Sequence, residues 1–306
     1  MCGSNWKDIC GCDVEDKELF AAFRQKLRKW KACLSDRDDD NSIFTQLASL
    51  FWDHAVFTTF NEARRLSEER KDPSTGLPGT VIDLLDRNFM DSQAVAIRRL
   101  SDPGSTDPNR EVCSLRSLFT EIAENLHLYT RENYVCYDGL FYDGPQNDDD
   151  LEAIHCYRQA KYDLLSGKNK DERRRDDRVS STLFADMKKE IVNNFAIMDD
   201  VRQYVNKWVA HAAPAWQANR AARVLDRVTL KKFDDCYHAS IRIGKKVAFL
   251  VDEDLVCMVP VPGGFDQFKN WDKPVVVKEA IEALDKYWDD RATEIDDWVR
   301  EADCGV

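Results

Sequence analysis

The sequence predicts a mostly α-helical protein, a single helical bundle that ends in a C-terminal amphipathic helix. Apolar residues recur at intervals of three and four along several long segments, which is typical of helices with one buried face. The sequence does not alternate strand and helix patterns, which argues against a parallel-sheet nucleotide-binding fold. The chain has 306 residues, 43% of them hydrophobic, so it is long enough to bury a substantial core.

Pattern and composition divide the chain into three regions. Residues 1–40 are expected to form an N-terminal helical extension, and residues 41–250 to form the helical bundle. Residues 251–306 are expected to form a loop and an acidic helix that packs on the bundle. Three prolines and the Gly263-Gly264 pair predict the loop, because both residue types interrupt regular structure.

Three helices are predicted between residues 41 and 130, after the N-terminal extension. Residues 43–66 are apolar nearly all round, which predicts a central helix. Residues 80–83 resemble a capping box and open the next helix, which ends before Pro103 because proline disfavours a helical predecessor. That helix is expected to direct five apolar residues inward: Val81, Leu84, Leu85, Phe89 and Leu100. A further apolar stripe runs from Leu115 to Leu126.

The strongest helical pattern begins at Thr182 and continues to Trp208. We expect that helix to end between His211 and Pro214, because proline cannot continue it. Thr229 is placed to cap a further helix through Leu250, although residues 240–251 also match a strand pattern. The runs 138–145 and 168–178 are expected to be loops or solvated faces. The last helix has an apolar stripe of Val277, Ile281, Leu284, Trp288, Ile295 and Trp298.

Charge is distributed unevenly along an acidic chain. The net charge is −12, which repels nucleic acid and anionic membranes overall. Residues 201–232, however, contain seven basic residues and one acidic residue, whereas residues 271–306 contain eleven acidic and five basic residues. The basic stretch is either a polyanion site or an intramolecular partner of the acidic tail. Charge alone leaves both interpretations open.

Several classes of site lack their sequence signatures. The ten cysteines show no C-x2-C pair, so we expect reduced, mostly buried thiols and no metal. Glycine-rich nucleotide loops, the G-x-S-x-G elbow and H-E-x-x-H are also absent, and no cofactor is expected. No apolar run approaches the length of a membrane span, and the start lacks a signal pattern, so we expect a cytoplasmic protein without membrane contact.

One candidate site lies at the predicted end of the long helix. His211 would feel the negative end of the helix dipole, which favours its protonated form. On a helix, Tyr204 is about 20° and Lys207 about 40° from His211. A histidine among these groups could grip or cleave a phosphodiester. The alternative is a structural histidine whose ring bonds to a carbonyl or to Tyr204.

Two short motifs resemble one protein family. Residues 206–211, Asn-Lys-Trp-Val-Ala-His, are similar to the end of the R-N-x(3 to 5)-H signature of the HEPN superfamily. Residues 97–103, Ile-Arg-Arg-Leu-Ser-Asp-Pro, and residues 114–118, Ser-Leu-Arg-Ser-Leu, resemble a segment of the branch linked to abortive phage infection of the AbiU kind. The resemblance covers about residues 43–250.

The resemblance implies a helical, dimeric, metal-independent RNase of a bacterial defence or stress system. It implies catalytic roles for His211 and Asn206, and it makes RNA, a second copy and a nucleotidyltransferase or other defence protein the expected partners. The expected RNA-binding residues are Lys207, Arg202, Tyr204 and Arg223.

One departure from the motif bears on activity. Val205 stands where the family has its arginine, and packing on the apolar stripe explains a valine there. Either Arg202, Lys207 or a residue of a second copy replaces that arginine, or cleavage is lost. Arg202 is poorly placed to do so, since it is about 180° from His211 on the helix. The leading alternative function is a non-catalytic helical protein-protein interaction module.

Overall fold

The computed structural model of the chain describes residues 13–36, 38–69, 79–104, 112–144, 149–209, 228–255 and 280–303. These residues form nine α-helices and no strand, which confirms the predicted mostly α class and helical bundle. The chain divides into two compact units. The first comprises Met1–Val56 and Arg87–Pro260, and the second comprises Phe57–Asp86 and Val261–Val306.

The described residues also contain shorter helical turns between the α-helices. Two 3₁₀ turns, Leu126–Leu128 and Lys170–Glu172, and one π-helical turn, Val205–Val209, complete the described helical structure. The nine helices are α1 (Lys17–Ser35), α2 (Ile43–Glu69), α3 (Gly79–Leu100), α4 (Leu115–Glu124), α5 (Arg131–Cys136), α6 (Asp149–Ser166), α7 (Ser181–Tyr204), α8 (Leu230–Leu250) and α9 (Ile281–Asp303).

The core of the first unit forms around α7 and α8, which pack along each other. Helix α4 packs on α8 and α1, while α5 packs on α1 and α6. Trp30 of α1 is fully buried and stacks on Tyr129 with ring centroids 5.9 Å apart, and Phe23 meets the same ring edge-on at 5.1 Å. Aromatic contacts of this kind stabilise beyond their buried area, so α1 is an integral part of this core.

The periodicity of α4 and α7 predicts their buried faces correctly. Leu115, Leu118, Phe119 and Ile122 of α4 are buried, and so is most of the long stripe of α7. Helix α8 begins where the sequence predicts, because the Thr229 side chain accepts a hydrogen bond from the Lys232 N–H. The strand alternative for residues 240–251 is wrong, since all but the last of these residues belong to that helix. The predicted end of the long helix at 211–214 lies outside the described residues.

The helices of the second unit differ from the sequence expectation. Thr80 lies inside the first turn of α3, which begins at Gly79, and therefore is not the cap. Val81, Leu84 and Leu85 were expected to point inward but are exposed, whereas Phe89 of the first unit is buried as predicted. Within residues 57–66 and 79–86, none of the described side chains is buried. The prediction of a central, buried helix therefore holds only for the first two turns of α2, where Ile43, Leu47 and Leu50 are buried.

Most of the charged run 168–178 is an exposed loop, as expected, but one of its acids is buried. Asp177 is buried, and its carboxylate accepts a hydrogen bond from Nε of the fully buried Arg131 at 3.0 Å. Nη1 of Arg131 also donates to Asp163 at 2.6 Å. Burial would raise the pKa of Asp177, but hydrogen bonds from Lys168, the Arg174 backbone and Arg131 outweigh it and hold that pKa below its usual value. This part of the run folds back onto α5 because the Asp177 carboxylate pairs with the buried Arg131.

A second buried cluster follows α8 at Asp252. Its carboxylate accepts hydrogen bonds from Arg158 Nε at 2.8 Å, Lys161 Nζ at 2.8 Å and the Tyr137 hydroxyl at 3.0 Å. Asp252 has φ of +54°, a left-handed conformation that is unusual for a residue other than glycine. Since Lys31 Nζ donates to its backbone carbonyl at 3.0 Å, this one residue ties α1, α5 and α6 to the end of α8.

Within the described part of the chain, no helix is both long and apolar enough to cross a membrane.

Candidate functional site

Helix α7 changes its winding where the candidate site begins. After Tyr204 the backbone continues into the π-turn Val205–Val209, and the Val205 N–H is shared between the carbonyls of Val201 and Arg202. Val205 is only 1% exposed, and Val201, one turn earlier, is fully buried. The valine is therefore held by packing, as its stripe position predicts. π-Helical turns are rare and occur frequently at functional sites.

Arg98 of α3 reaches this turn. Its Nε donates a hydrogen bond to Oδ1 of Asn206 at 2.8 Å, between side chains that are both half-buried. Ile97 and Leu100 on either side of Arg98 are fully buried and anchor α3 in the core. Among the described residues, the two terminal nitrogens of the Arg98 guanidinium form no hydrogen bond. Asn206 thus orients the Arg98 guanidinium and leaves its terminal edge able to bind an anion. Arginine favours bidentate contacts with phosphate.

Arg202 is engaged in a separate ion pair one turn before the π-turn. Its Nε lies 3.1 Å from Oδ1 of Asp199, and Nη2 of Arg116 lies 2.6 Å from the same oxygen. Arg116 also lies over the ring of Phe195, with its guanidinium carbon 4.5 Å from the ring centroid. Two arginines surround one carboxylate, so the group retains a net charge of +1 at the surface. Arg202 contributes to local charge rather than to the Arg98–Asn206 pair.

Tyr204 directly precedes the π-turn and is partly exposed. Burial and, secondarily, the charge of Asp91 raise the pKa of its phenol, so Tyr204 is a neutral hydrogen-bond donor at neutral pH. Asp91 and Arg98 are seven residues apart on α3 and therefore share a helix face. The backbone of Lys207 belongs to the π-turn, but its side chain, His211 and Arg223 lie outside the described residues.

The structure brings together two motifs that are distant in sequence. Arg98, from the segment 97–103, contacts Asn206, which is 108 residues away. The rest of that segment is structural, because the Ser114 hydroxyl donates to the Asp102 carbonyl at 2.5 Å and accepts from the Ser117 N–H. Sequence reasoning named this segment but gave Arg98 no role. The signal was a basic residue beside the buried Ile97 in the last turn of α3.

Cysteine and metal chemistry find little support in the described residues. Burial raises the pKa of the Cys136 thiol well above its usual value and that of Cys236 to about 12, which makes both poor nucleophiles. Cys33 and Cys113 are partly exposed and Cys156 is exposed, so the expectation of mostly buried thiols holds for two of these five. No group of three potential metal ligands occurs within the described ranges.

No protein-family model, no curated protein and no solved structure matches the chain. The resemblance to the HEPN superfamily therefore rests on the motif residues themselves.

Proposed function

We propose that the chain binds RNA at the junction of α3 and α7 and cleaves it without a metal ion, as a HEPN-like protein of a bacterial defence or stress system. The observation that carries this proposal is the hydrogen bond from Arg98 to Asn206. The family motif has an arginine directly before its asparagine, and here Val205 fills that position and is buried. Arg98 brings a guanidinium to the same asparagine from the neighbouring helix.

The chemistry needs a proton-transfer group and a fixed positive charge. In metal-independent cleavage, the ribose 2′-oxygen loses its proton to a base and attacks the adjacent phosphorus, and the 5′-oxygen leaves with a proton from an acid. His211, five residues after Asn206, moves these protons in the proposed mechanism. Arg98 stabilises the negative charge that develops on the phosphoryl oxygens, and Asn206 holds Arg98 in place.

The flanking groups fit an RNA surface. Tyr204 offers a neutral hydroxyl and a ring for base stacking, and Arg116 with Arg202 leaves a local positive charge. Lys207 and Arg223 belong to the basic stretch 201–232 and extend the phosphate-binding surface in this proposal. The proposal also includes a homodimer in the cytoplasm, with a nucleotidyltransferase or another defence protein as a further partner.

The test compares two adjacent arginines of α3. Arg98 donates to Asn206, whereas the exposed Arg99 directs Nη2 to Asn41 at 3.0 Å, away from the π-turn. We expect Arg98→Ala to reduce the rate of cleavage of a labelled RNA by roughly 10²-fold, the cost of removing one charge-stabilising donor. Arg99→Ala is expected to stay within about twofold of wild type. Equal effects of the two variants would show that Arg98 has no specific role in cleavage.

Three further measurements complete the test. Cleavage is expected to persist in EDTA and to disappear in His211→Ala without a change in the thermal midpoint. Arg98→Lys keeps the positive charge but loses the Nε donor, so it is expected to bind RNA and to cleave it slowly. An RNase activity that survives His211→Ala, or that EDTA abolishes, would contradict the mechanism. An inactive wild type that still binds RNA through Arg98 would reduce the function to RNA binding.

A further inference from the structure

Helix α9 presents an uncovered apolar surface in the second unit. All ten residues from Ile281 to Asp290 are exposed. Ile281 and Leu284 are 47% and 46% exposed, and Trp288 is 75% exposed. A tryptophan that is so accessible in the chain alone is uncommon, and such residues often belong to surfaces that a partner covers. The helix therefore has a face that is suited to a partner.

The apolar residues of α9 follow a seven-residue repeat. Ile281, Trp288 and Ile295 occupy the first position of successive heptads, and Leu284 and Trp298 occupy the fourth. Apolar residues at these two positions form the seam of a two-stranded coiled coil. Arg291 is the single interruption of the seam. The repeat extends over about three heptads, the shortest length at which such a pattern indicates a coiled coil.

Half of the positions that flank this seam are acidic. The fifth and seventh heptad positions carry Asp285, Glu294 and Glu301 and no basic residue. Over its whole length, α9 has nine acidic and three basic residues, a net charge of −6. Residues at these flanking positions select the partner of a coiled coil through their charge. A second α9 would place three more acids at the positions that flank the seam and another net charge of −6 beside the helix, which disfavours self-pairing.

We propose that α9 is a docking helix for an amphipathic helix of another protein, one with an apolar seam and with lysine or arginine at the flanking positions. The apolar seam supplies the contact area, and the opposite charges set the partner and its register. This interaction is independent of the proposed RNA site, which lies in the first unit.

The test uses the full chain and two synthetic peptides of about three to four heptads. Both peptides have the same isoleucine and leucine seam. One has lysine at every flanking position, and the other has glutamate. Fluorescence anisotropy of the labelled peptides is expected to give at least about tenfold tighter binding for the lysine peptide, with the difference shrinking at high salt.

Matched variants separate seam binding from general charge attraction. Leu284→Ser changes the seam, and Ala283→Ser changes the exposed neighbouring position on the outer face. We expect about tenfold weaker binding of the lysine peptide for Leu284→Ser and less than about a twofold change for Ala283→Ser. Asp285→Lys at a flanking position is expected to reduce the preference for the lysine peptide, because it lowers the flanking charge from −3 to −1, whereas Asp289→Lys outside the flank is expected to change it less.

Three results would overturn the proposal. The two peptides could bind equally or not at all, or Leu284→Ser and Ala283→Ser could have the same effect. Sedimentation could also reveal a dimer of the chain that Leu284→Ser dissociates, in which case a second copy covers the helix. A dimer that persists in Leu284→Ser forms through another surface and agrees with the proposal.

Discussion

Replacing Asp252 with asparagine tests how the first unit holds α1, α5, α6 and α8 together. The Asp252 carboxylate is the shared acceptor for Arg158 and Lys161, each at 2.8 Å, and the three side chains are 7–8% exposed. Asparagine has the same shape and tolerates the left-handed backbone conformation of φ +54°. The substitution therefore changes the charge and leaves the backbone strain as it is.

The expected cost follows from the burial of the two cations. Removing one partner of a buried ion pair costs about 3–5 kcal/mol, because the remaining charge is left without compensation. Here Arg158 keeps a second acid, Asp138, whose carboxylate it contacts at 2.7 Å, whereas Lys161 has no second acid among the described residues. We therefore expect the lower end, about 3 kcal/mol. For a domain of this size that corresponds to a fall in thermal midpoint of about 6–12 °C.

The assay is thermal unfolding followed by circular dichroism at 222 nm. Asp254→Asn is the matched control, because Asp254 is exposed two residues further on. We expect its midpoint to agree with wild type to within about 2 °C, since exposed substitutions cost little. A midpoint for Asp252→Asn equal to that of the control would refute the argument, because it would mean that the two cations need no carboxylate.

The pH dependence gives an independent check on the same residue. Burial would raise the pKa of Asp252, but the hydrogen bond from Lys161 and the charges of Arg158, Lys161 and Lys31 hold it below its usual value. A carboxylate with a depressed folded-state pKa stabilises the fold above its unfolded pKa of about 3.9, and that stability is lost as the pH falls through the folded pKa. Wild type is expected to lose stability below about pH 4 more steeply than Asp252→Asn. Identical pH profiles would contradict this assignment.

Two further predictions concern the end of α7. Val205→Arg restores the residue of the family motif but places a charge at a site that is 1% exposed; we expect a destabilisation of several kcal/mol in chemical denaturation. A variant as stable as wild type would show that this position can open to solvent. RNA affinity is expected to fall steeply with salt, and Lys207→Ala or Arg223→Ala to lower the slope of log K against log salt by about one. RNA binding insensitive to salt would remove the basic stretch from the site.

Local periodicity predicted the parts of the fold in which one helix face is buried throughout. Residues such as Ile191 and Val201 are buried because α7 packs against α8, while Phe184 at the start of the stripe stacks on Phe119 of α4. The same rule fails for Leu84, because the spacing of apolar residues shows which face of a helix is apolar but not whether another element packs on it. Asp177 shows the converse case. Its charge predicts exposure, and only the folded chain supplies the buried Arg131 that neutralises it.

The candidate site was predictable in part for a related reason. Asn206 and His211 are close in sequence and form a recognisable motif, whereas Arg98 is 108 residues from its partner and belongs to another helix. Because Val205 is part of the packed stripe, an arginine there would have to leave the core or break it. The π-turn keeps Val205 in the core and holds Asn206 at the surface beside Arg98. In the proposed site, the guanidinium beside Asn206 and the apolar residue at position 205 thus come from two helices instead of one. This is why the Arg98 and Arg99 variants are the deciding comparison.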